Sequence, residues 1–220
     1  MLLEDIKNNY NTIIFDNDGV ILDSNQAKTE AFSKSVEGYE INKIREFLDY
    51  HTANGGISRF EKFDHFYRNI LKIENYQEQS KKSLDIFAHL AKKALLEAEE
   101  MDGVLDFIKN IYKSDKLIYV ISASDQEELI DVYTDRDIGK YFDRILGSPV
   151  SKEYHLERLL DSNQISYPAL YFGDSSTDFI LAKKHELDFV FISSKSEWME
   201  GEDICKAANC RIIEDFNEIL

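Results

Sequence analysis

Apolar and polar positions divide the chain into stretches of two periods. Thr12-Ile13-Ile14-Phe15 is a short apolar, β-branched run that reads as a buried strand. Beyond Ser24 the spacing becomes helical. Ala27, Ala31, Phe32, Ser35 and Val36 share one face, and Ile41, Ile44, Phe47 and Leu48 share another. A loop is expected at His51-Thr52-Ala53-Asn54-Gly55-Gly56. A third helix follows with Phe60, Phe63, Tyr67, Ile70 and Leu71, and a longer fourth with Leu84, Phe87, Leu90, Ala91, Ala94, Leu95 and Ala98. No strand-like run falls between Asn25 and Glu100, so this segment reads as an all-helical insert.

From Met101 strands return and alternate with helices. Gly103 precedes a helix carrying Leu105, Ile108 and Ile111, and Leu117 to Ile121 is a buried strand. Its continuation, Ser122-Ala123-Ser124-Asp125, caps a helix with Leu129, Ile130 and Tyr133. Further strands are expected at 144–146, 169–172, 188–192 and 211–213. Helices led by Lys152 and containing Phe179, Ile180 and Ala182 lie between them. Alternation of this kind predicts a parallel sheet covered on both faces, an α/β fold whose ligands bind outside the carboxyl ends of the strands. The expected division is a core of residues 1–23 and 101–220 around a helical insert of residues 24–100.

Composition narrows the partners. A 220-residue chain with 43% hydrophobic content can bury a sizeable core. Its net charge of −16 argues against non-specific binding to nucleic acid or to an anionic membrane. An acidic protein that acts on an anion must therefore build a local positive site. Cys205 and Cys210 have no CxxC or His partner pattern, which speaks against a metal or disulfide role. The first ten residues lack a basic n-region and a continuous apolar h-region, and no apolar run reaches the ~20 residues of a membrane span. The expectation is a cytoplasmic protein without a signal peptide.

The chemistry concentrates where predicted strands end. Asp16-Asn17-Asp18-Gly19 follows the first strand. Two carboxylates two residues apart repel each other unless a cation lies between them or one is protonated. Hard oxygen ligands suit Mg²⁺. The same four residues also suit an ordinary turn. An EF-hand loop fails on register, because Val20 stands where a ligand is needed and a strand, not a helix, precedes it.

Other strands end near Ser122, Lys152, and the pair Asp174 and Asp178. Taken singly, Ser122 reads as a helix cap, Lys152 as a solvated helix-end lysine, and Ser175 to Asp178 as a capping box. Together, at one edge of one sheet, they describe a phosphate site. A carboxylate can take a phosphoryl group, a second carboxyl can move protons, and a hydroxyl and an ammonium can hold phosphoryl oxygens. Asp16 is expected to be an exposed strand-end carboxylate.

F-D-N-D-G-V-I-L-D-S, V-I-S-A-S, Lys152 and G-D-S-S-T-D, in that order, resemble the four motifs of the haloacid dehalogenase (HAD) superfamily. Within it the chain is similar to the phosphoglycolate phosphatase and β-phosphoglucomutase type, with a Rossmann-like core and a helical cap. The resemblance implies Asp16 as nucleophile and Asp18 as general acid/base. It implies Mg²⁺ held by the Asp16 side chain, the Asp18 main-chain carbonyl and the Asp174 side chain. Ser122 and Lys152 would bind the phosphoryl group, and Asp178 would support the metal waters or Lys152. Asp18 argues against dehalogenation, since haloacid dehalogenases lack an acid there. Ala123 after Ser122, and S-P-V-S before Lys152, depart from the commonest pattern.

The implied activity is a Mg²⁺-dependent phosphatase of small phosphomonoesters, such as a sugar phosphate or a phosphoglycolate-like acid. A sugar phosphomutase is the nearest alternative. A non-catalytic phospho-ligand sensor is a third, against which every motif carboxylate speaks. In the insert, Gly55 and Gly56 permit close backbone approach, and Arg59 and Lys62 beyond them can bind an anion. The expectation is that this loop faces Asp16 and reads the leaving group, with Gly55, Gly56, Arg59 and Lys62 binding substrate. The competing reading makes Arg59 and Lys62 solvated surface charges.

Overall fold

A computed structural model describes residues 2–220 of the chain. Element α1 (Leu3–Asn9) leads into strand β1 (Thr12–Phe15), followed by helices α2 (Asn25–Ser35), α3 (Ile41–Ala53), α4 (Arg59–His65) and α5 (Gln77–Glu97). A π-helical turn, Phe66–Ile70, extends α4. Then come α6 (Val104–Tyr112), β2 (Leu117–Asp125), α7 (Gln126–Asp135), β3 (Arg144–Ser148), α8 (Lys152–Asp161), β4 (Ala169–Gly173), α9 (Ser176–Lys184), β5 (Asp188–Ile192), α10 (Gly201–Ala207) and β6 (Arg211–Ile213).

The six strands form one parallel sheet in the order β3-β2-β1-β4-β5-β6. Strand β1 is central, with Phe15 in register with Val120 on one side and Phe172 on the other. All four β1 residues are buried, as a strand covered on both faces requires. Alternate residues feed two cores. Ile13 and Phe15 join Phe107, Phe172 and Phe216 on one face, and Ile14 joins Tyr171, Leu181 and Phe191 on the other. Phe15 and Phe172 stack with ring centroids 5.1 Å apart. A third core, around Phe32, Phe47, Phe63 and Phe87, holds the inserted helices together. Among the described residues no helix is long and apolar enough to cross a membrane.

Several details differ from the sequence expectations. Helix α3 continues through His51, Thr52 and Ala53, so the loop begins only at Asn54. Strand β2 runs four residues past Ile121, with a bulge between Ile121 and Asp125, and the cap of α7 is Asp125 rather than Ser122. Helices α1 and α10 were not expected. Ile41 and Ile180, counted on apolar helix faces, are exposed.

Candidate active site

The carboxyl ends of β1, β2 and β4 converge beneath α2, α3 and α4. Three carboxylates, Asp16, Asp174 and Asp178, bring oxygens within 4.8 Å of one another, and all three residues are buried. Asp16 is thus not the exposed strand-end group expected. At 4% exposure it lies under the inserted helices, and only an ion pair and hydrogen bonds make such burial tolerable. Lys152, the first residue of α8, supplies the pair: its Nζ lies 2.8 Å from Asp16 Oδ2 and 2.7 Å from Asp178 Oδ1. The lysine is 3% exposed, so it is no solvated helix end. The Asn17 amide donates to Asp16 Oδ1 at 2.7 Å.

Asp178 is fully engaged. Besides Lys152 it accepts from the Tyr171 hydroxyl and from the Ser175 amide and hydroxyl, completing a capping box at the start of α9. The capping and the Lys152 roles therefore coexist. That leaves Asp16 and Asp174 as the carboxylates with capacity for a cation. Burial pushes the Asp16 carboxyl up to about 7. Lys152 opposes this shift, while the charges of Asp178 and Asp18 add to it. Burial, then the charges of Asp16 and Asp178, push Asp174 well above the usual carboxylate range. Such mutual repulsion is what a bound divalent cation relieves, and an all-oxygen donor set fits Mg²⁺. Asn25 Nδ2 donates to Asp174 Oδ2 at 2.6 Å on the same side.

Asp18 has a different environment. Its Oδ2 lies 2.6 Å from Lys28 Nζ and accepts from Ser124 at 2.8 Å, while Oδ1 accepts from Ser24 at 2.5 Å. Lys28 also donates to the Ser124 hydroxyl. Burial would raise this carboxyl, but Lys28, Ser24 and Ser124 outweigh it and hold the group below its ordinary value. With its side chain taken up in this way, Asp18 has only its main-chain carbonyl left for a cation.

Ser122 is fully buried and its Oγ accepts from the Ser124 amide at 3.1 Å, which leaves its own proton free to be donated. The cavity wall at this strand end is formed by Ala123 and Ser124.

The glycine-rich loop meets the β4 end. Thr177 Oγ1 donates to the Gly55 carbonyl at 2.5 Å. Gly56 has φ +85°, and a Cβ there would lie 2.9 Å from Thr177 Cβ, so glycine is needed both for conformation and for approach. Arg59 and Lys62 are 5% and 3% exposed, which removes the reading of both as solvated charges. Arg59 lines the cavity, but both its amines are committed to Glu128 of α7, at 2.7 and 2.5 Å, and its guanidinium sits over Phe87. A guanidinium engaged by a bidentate carboxylate has little capacity left for a ligand.

The cavity is small, about 70 Å³ to the centre of a water molecule, and Asp16, Asp18, Lys28, His51, Lys62 and Glu197 are among its walls. Lys28 and Lys62 line it and Lys152 lies against Asp16, and together they provide the local positive site that the overall charge demanded. Sequence reasoning missed Asn25, Lys28, Ser124, His51 and Glu197. Ser124 was within reach, since it lies two residues from Ser122 in an extended strand. Ser24 and Lys28 stand at i and i+4.

The sequence matches the family model of the haloacid dehalogenase-like hydrolases over residues 13–192. No match is found among curated proteins. Solved structures of similar fold include a β-phosphoglucomutase from Clostridium difficile, 20% identical, with a TM-score of 0.73 over 96% of this chain and 93% of that one. A predicted phosphatase from Clostridium acetobutylicum is 22% identical, with a TM-score of 0.69 over 93% of each chain. A mutant of CbbY from Rhodobacter sphaeroides, in complex with xylulose-(1,5)bisphosphate, is 17% identical, with a TM-score of 0.71 over 94% of this chain and 95% of that one.

Proposed function

Since the chain belongs to the haloacid dehalogenase-like hydrolases, we propose that it is a Mg²⁺-dependent phosphatase of a small phosphomonoester, acting through an aspartyl-phosphate on Asp16. The observation that carries this reading is the meeting of Asp16, Asp174 and Lys152 at one sheet edge, with Asp18 beside them in an opposite electrostatic setting.

In this mechanism an Asp16 carboxylate oxygen bonds to phosphorus as the bond to the leaving oxygen breaks. The Lys152 ammonium, 2.8 Å away, favours the ionised and therefore nucleophilic form of Asp16. Asp18 protonates the leaving oxygen. Water then attacks phosphorus, gives its proton to Asp18, and releases Asp16 and inorganic phosphate. As a base, Asp18 needs the ionised form that Lys28, Ser24 and Ser124 favour. As an acid it must first carry a proton, which the negative charge of an arriving phosphoryl group would favour.

Asp16, Asp174 and the Asp18 carbonyl would hold Mg²⁺, which when bound offsets the charge of the phosphoryl oxygens. Lys152, beside Asp16, would meet those oxygens, and Ser122, buried behind Ala123 and Ser124, would have to reach them from below the cavity wall. The inserted helices, read as a cap over residues 24–100, leave the phosphoryl site little open to bulk water.

The substrate is a small phosphorylated metabolite, as the cavity's size suggests. Transfer to a sugar, as in a mutase, needs the same carboxylates but must exclude water from the phospho-enzyme. The deciding experiment is a panel of small phosphomonoesters incubated with the protein and Mg²⁺. Release of inorganic phosphate, lost in Asp16→Asn, supports hydrolysis. Interconversion of sugar phosphates without release would replace it with the mutase reading.

A further inference from the structure

Four lysine and arginine side chains are buried among the described residues: Lys28, Arg59, Lys62 and Lys152. Three have carboxylate partners: Asp18 for Lys28, Glu128 for Arg59, and Asp16 with Asp178 for Lys152. Lys62 has none within ion-pair distance among the described residues. Its Nζ meets only neutral acceptors, His51 Nδ1 at 2.7 Å and the His51 carbonyl at 3.4 Å. An ammonium buried without a counter-charge is costly, typically by several kcal/mol. Helix α4 gains little from it, because Phe63 supplies that segment's packing against the insert's core.

The contacts around Lys62 have a consistent direction. As an ammonium Lys62 can only donate, so in that form His51 Nδ1 accepts and the neutral ring carries its proton on Nε2. Nε2 lies 2.9 Å from Thr29 Oγ1, and Thr29 donates to Glu197 Oε1 at 2.8 Å. Burial first, then the charges of Lys62 and Lys28, hold His51 well below its ordinary value, which keeps the ring neutral. Lys62, His51, Thr29 and Glu197 therefore form a fixed chain of hydrogen bonds from α4 through α3 and α2 to the segment after β5. Its effect is to hold one ammonium at the cavity wall with one N–H on the His51 ring, a second on a long bond to the His51 carbonyl, and the third without a partner among the described residues.

We propose that Lys62, fixed by His51, binds a second anionic group on the substrate, a carboxylate or phosphate carried by the leaving alcohol. The inference rests on the phosphatase reading of the same cavity and names the class of its substrate. Phe32 and Phe87 line the cavity beside Lys62, and low-dielectric walls strengthen an ion pair formed there. Arg59 cannot take this role while Glu128 holds it. Burial first, then Lys28, pull the Lys62 ammonium down to about 7, so an incoming anion meets a group that its own charge would keep protonated.

The test separates binding from turnover. Asp16→Asn protein with Mg²⁺ is titrated calorimetrically with three short esters: 2-phosphoglycolate, propane-1,3-diol bisphosphate and 2-hydroxyethyl phosphate. The first two carry a distal carboxylate or phosphate, and the third ends in a neutral hydroxyl. The expected result is about tenfold tighter binding of at least one doubly charged ester, in line with a buried charge-assisted hydrogen bond. Which one binds tighter distinguishes carboxylate from phosphate.

Adding Lys62→Met should remove the preference, while Lys62→Arg should retain part of it. Circular dichroism and thermal melting of each variant establish that it is folded. Equal affinity for charged and neutral esters, or the same loss for all three in Lys62→Met, would overturn the proposal. Turnover of the three esters by the unsubstituted protein reports separately on the phosphatase reading. Absent hydrolysis with a preserved anion preference would sink that reading alone.

Discussion

The Lys152 ammonium stands 2.8 Å from the Asp16 carboxylate, and both are shut away from solvent. The pair solves two problems. It makes a buried carboxylate tolerable at the end of β1, and it favours the ionised form of that carboxylate in opposition to burial and to two neighbouring acids.

Lys152→Met keeps the length of the side chain and removes its charge. Asp16 and Asp178 are then buried without their cation, so stability should fall by about 3–5 kcal/mol, the usual cost of breaking a buried pair. Turnover should fall with it, because Asp16 loses the group that favours its nucleophilic form. Urea denaturation and phosphate release on the same preparation check both effects. Unchanged stability would mean that the Lys152 ion pairs with Asp16 and Asp178 contribute nothing to folding.

Metal dependence is the second expectation. Turnover should vanish in EDTA, return with Mg²⁺, and be inhibited by Ca²⁺, whose larger and looser coordination suits in-line attack poorly. The motive is the mutual repulsion of Asp16, Asp174 and Asp178. Full phosphate release after metal removal verified by elemental analysis would contradict it.

Gly56→Ala places a methyl 2.9 Å from Thr177 Cβ at a φ of +85°. The strain of a left-handed non-glycine residue alone is about 1–2 kcal/mol. The loop should lift from the β4 end, raising KM for the substrate several-fold and lowering the melting temperature. Steady-state kinetics and thermal melting test this, and a KM unchanged at reduced stability would separate the loop from substrate binding.

Lys62 gives a pH signature. Its folded-state pKa is depressed to about 7, so between pH 7 and 10.5 the unfolded chain binds more protons than the folded one. Stability from this group therefore rises with pH across that window. Below pH 7 the cost of the buried charge is present in full. The groups acting on it are Lys28 of α2, His51 of α3, Asp18 beyond β1, Lys152 of α8 and Glu197 after β5. Relative to Lys62→Met, the unsubstituted protein should gain up to about 2 kcal/mol from pH 7 to pH 9, given the ~1.4 kcal/mol of each pKa unit. Parallel urea midpoints at the two pH values measure it, and an absent difference would mean that Lys62 stays protonated in the folded protein across that window.

What the sequence made legible was the frame. β1 and β4 are apolar runs with no competing pattern, and Asp16, Asp18, Asp174 and Asp178 follow them directly. Lys152 was harder to place, because its strand is short and half-exposed, yet it sits between Asp16 and Asp178. The residues that came from elsewhere were hidden by distance. Lys28 meets Asp18 ten residues away across the start of α2, and Glu197 reaches Thr29 from 168 residues further along. Neither meeting has a local signal. In the sequence His51 reads as loop because Asn54-Gly55-Gly56 follows closely, although α3 persists to Ala53. The pairing of Arg59 is invisible in the sequence because Glu128, its partner, lies 69 residues away in another helix.

The central claim is a phosphoryl group carried by Asp16, and acid-quench peptide mapping tests it most directly. Asp18→Asn protein with Mg²⁺ is mixed with acetyl phosphate, whose leaving group needs no proton, and is then quenched in acid. Without Asp18 as base, hydrolysis should be slow and the phosphoryl group should accumulate. The account predicts it on the peptide containing Asp16, and its absence when Asp16→Asn is added. Phosphate release by the unsubstituted protein with a phosphoryl group on some other residue, or on none at all, would contradict it.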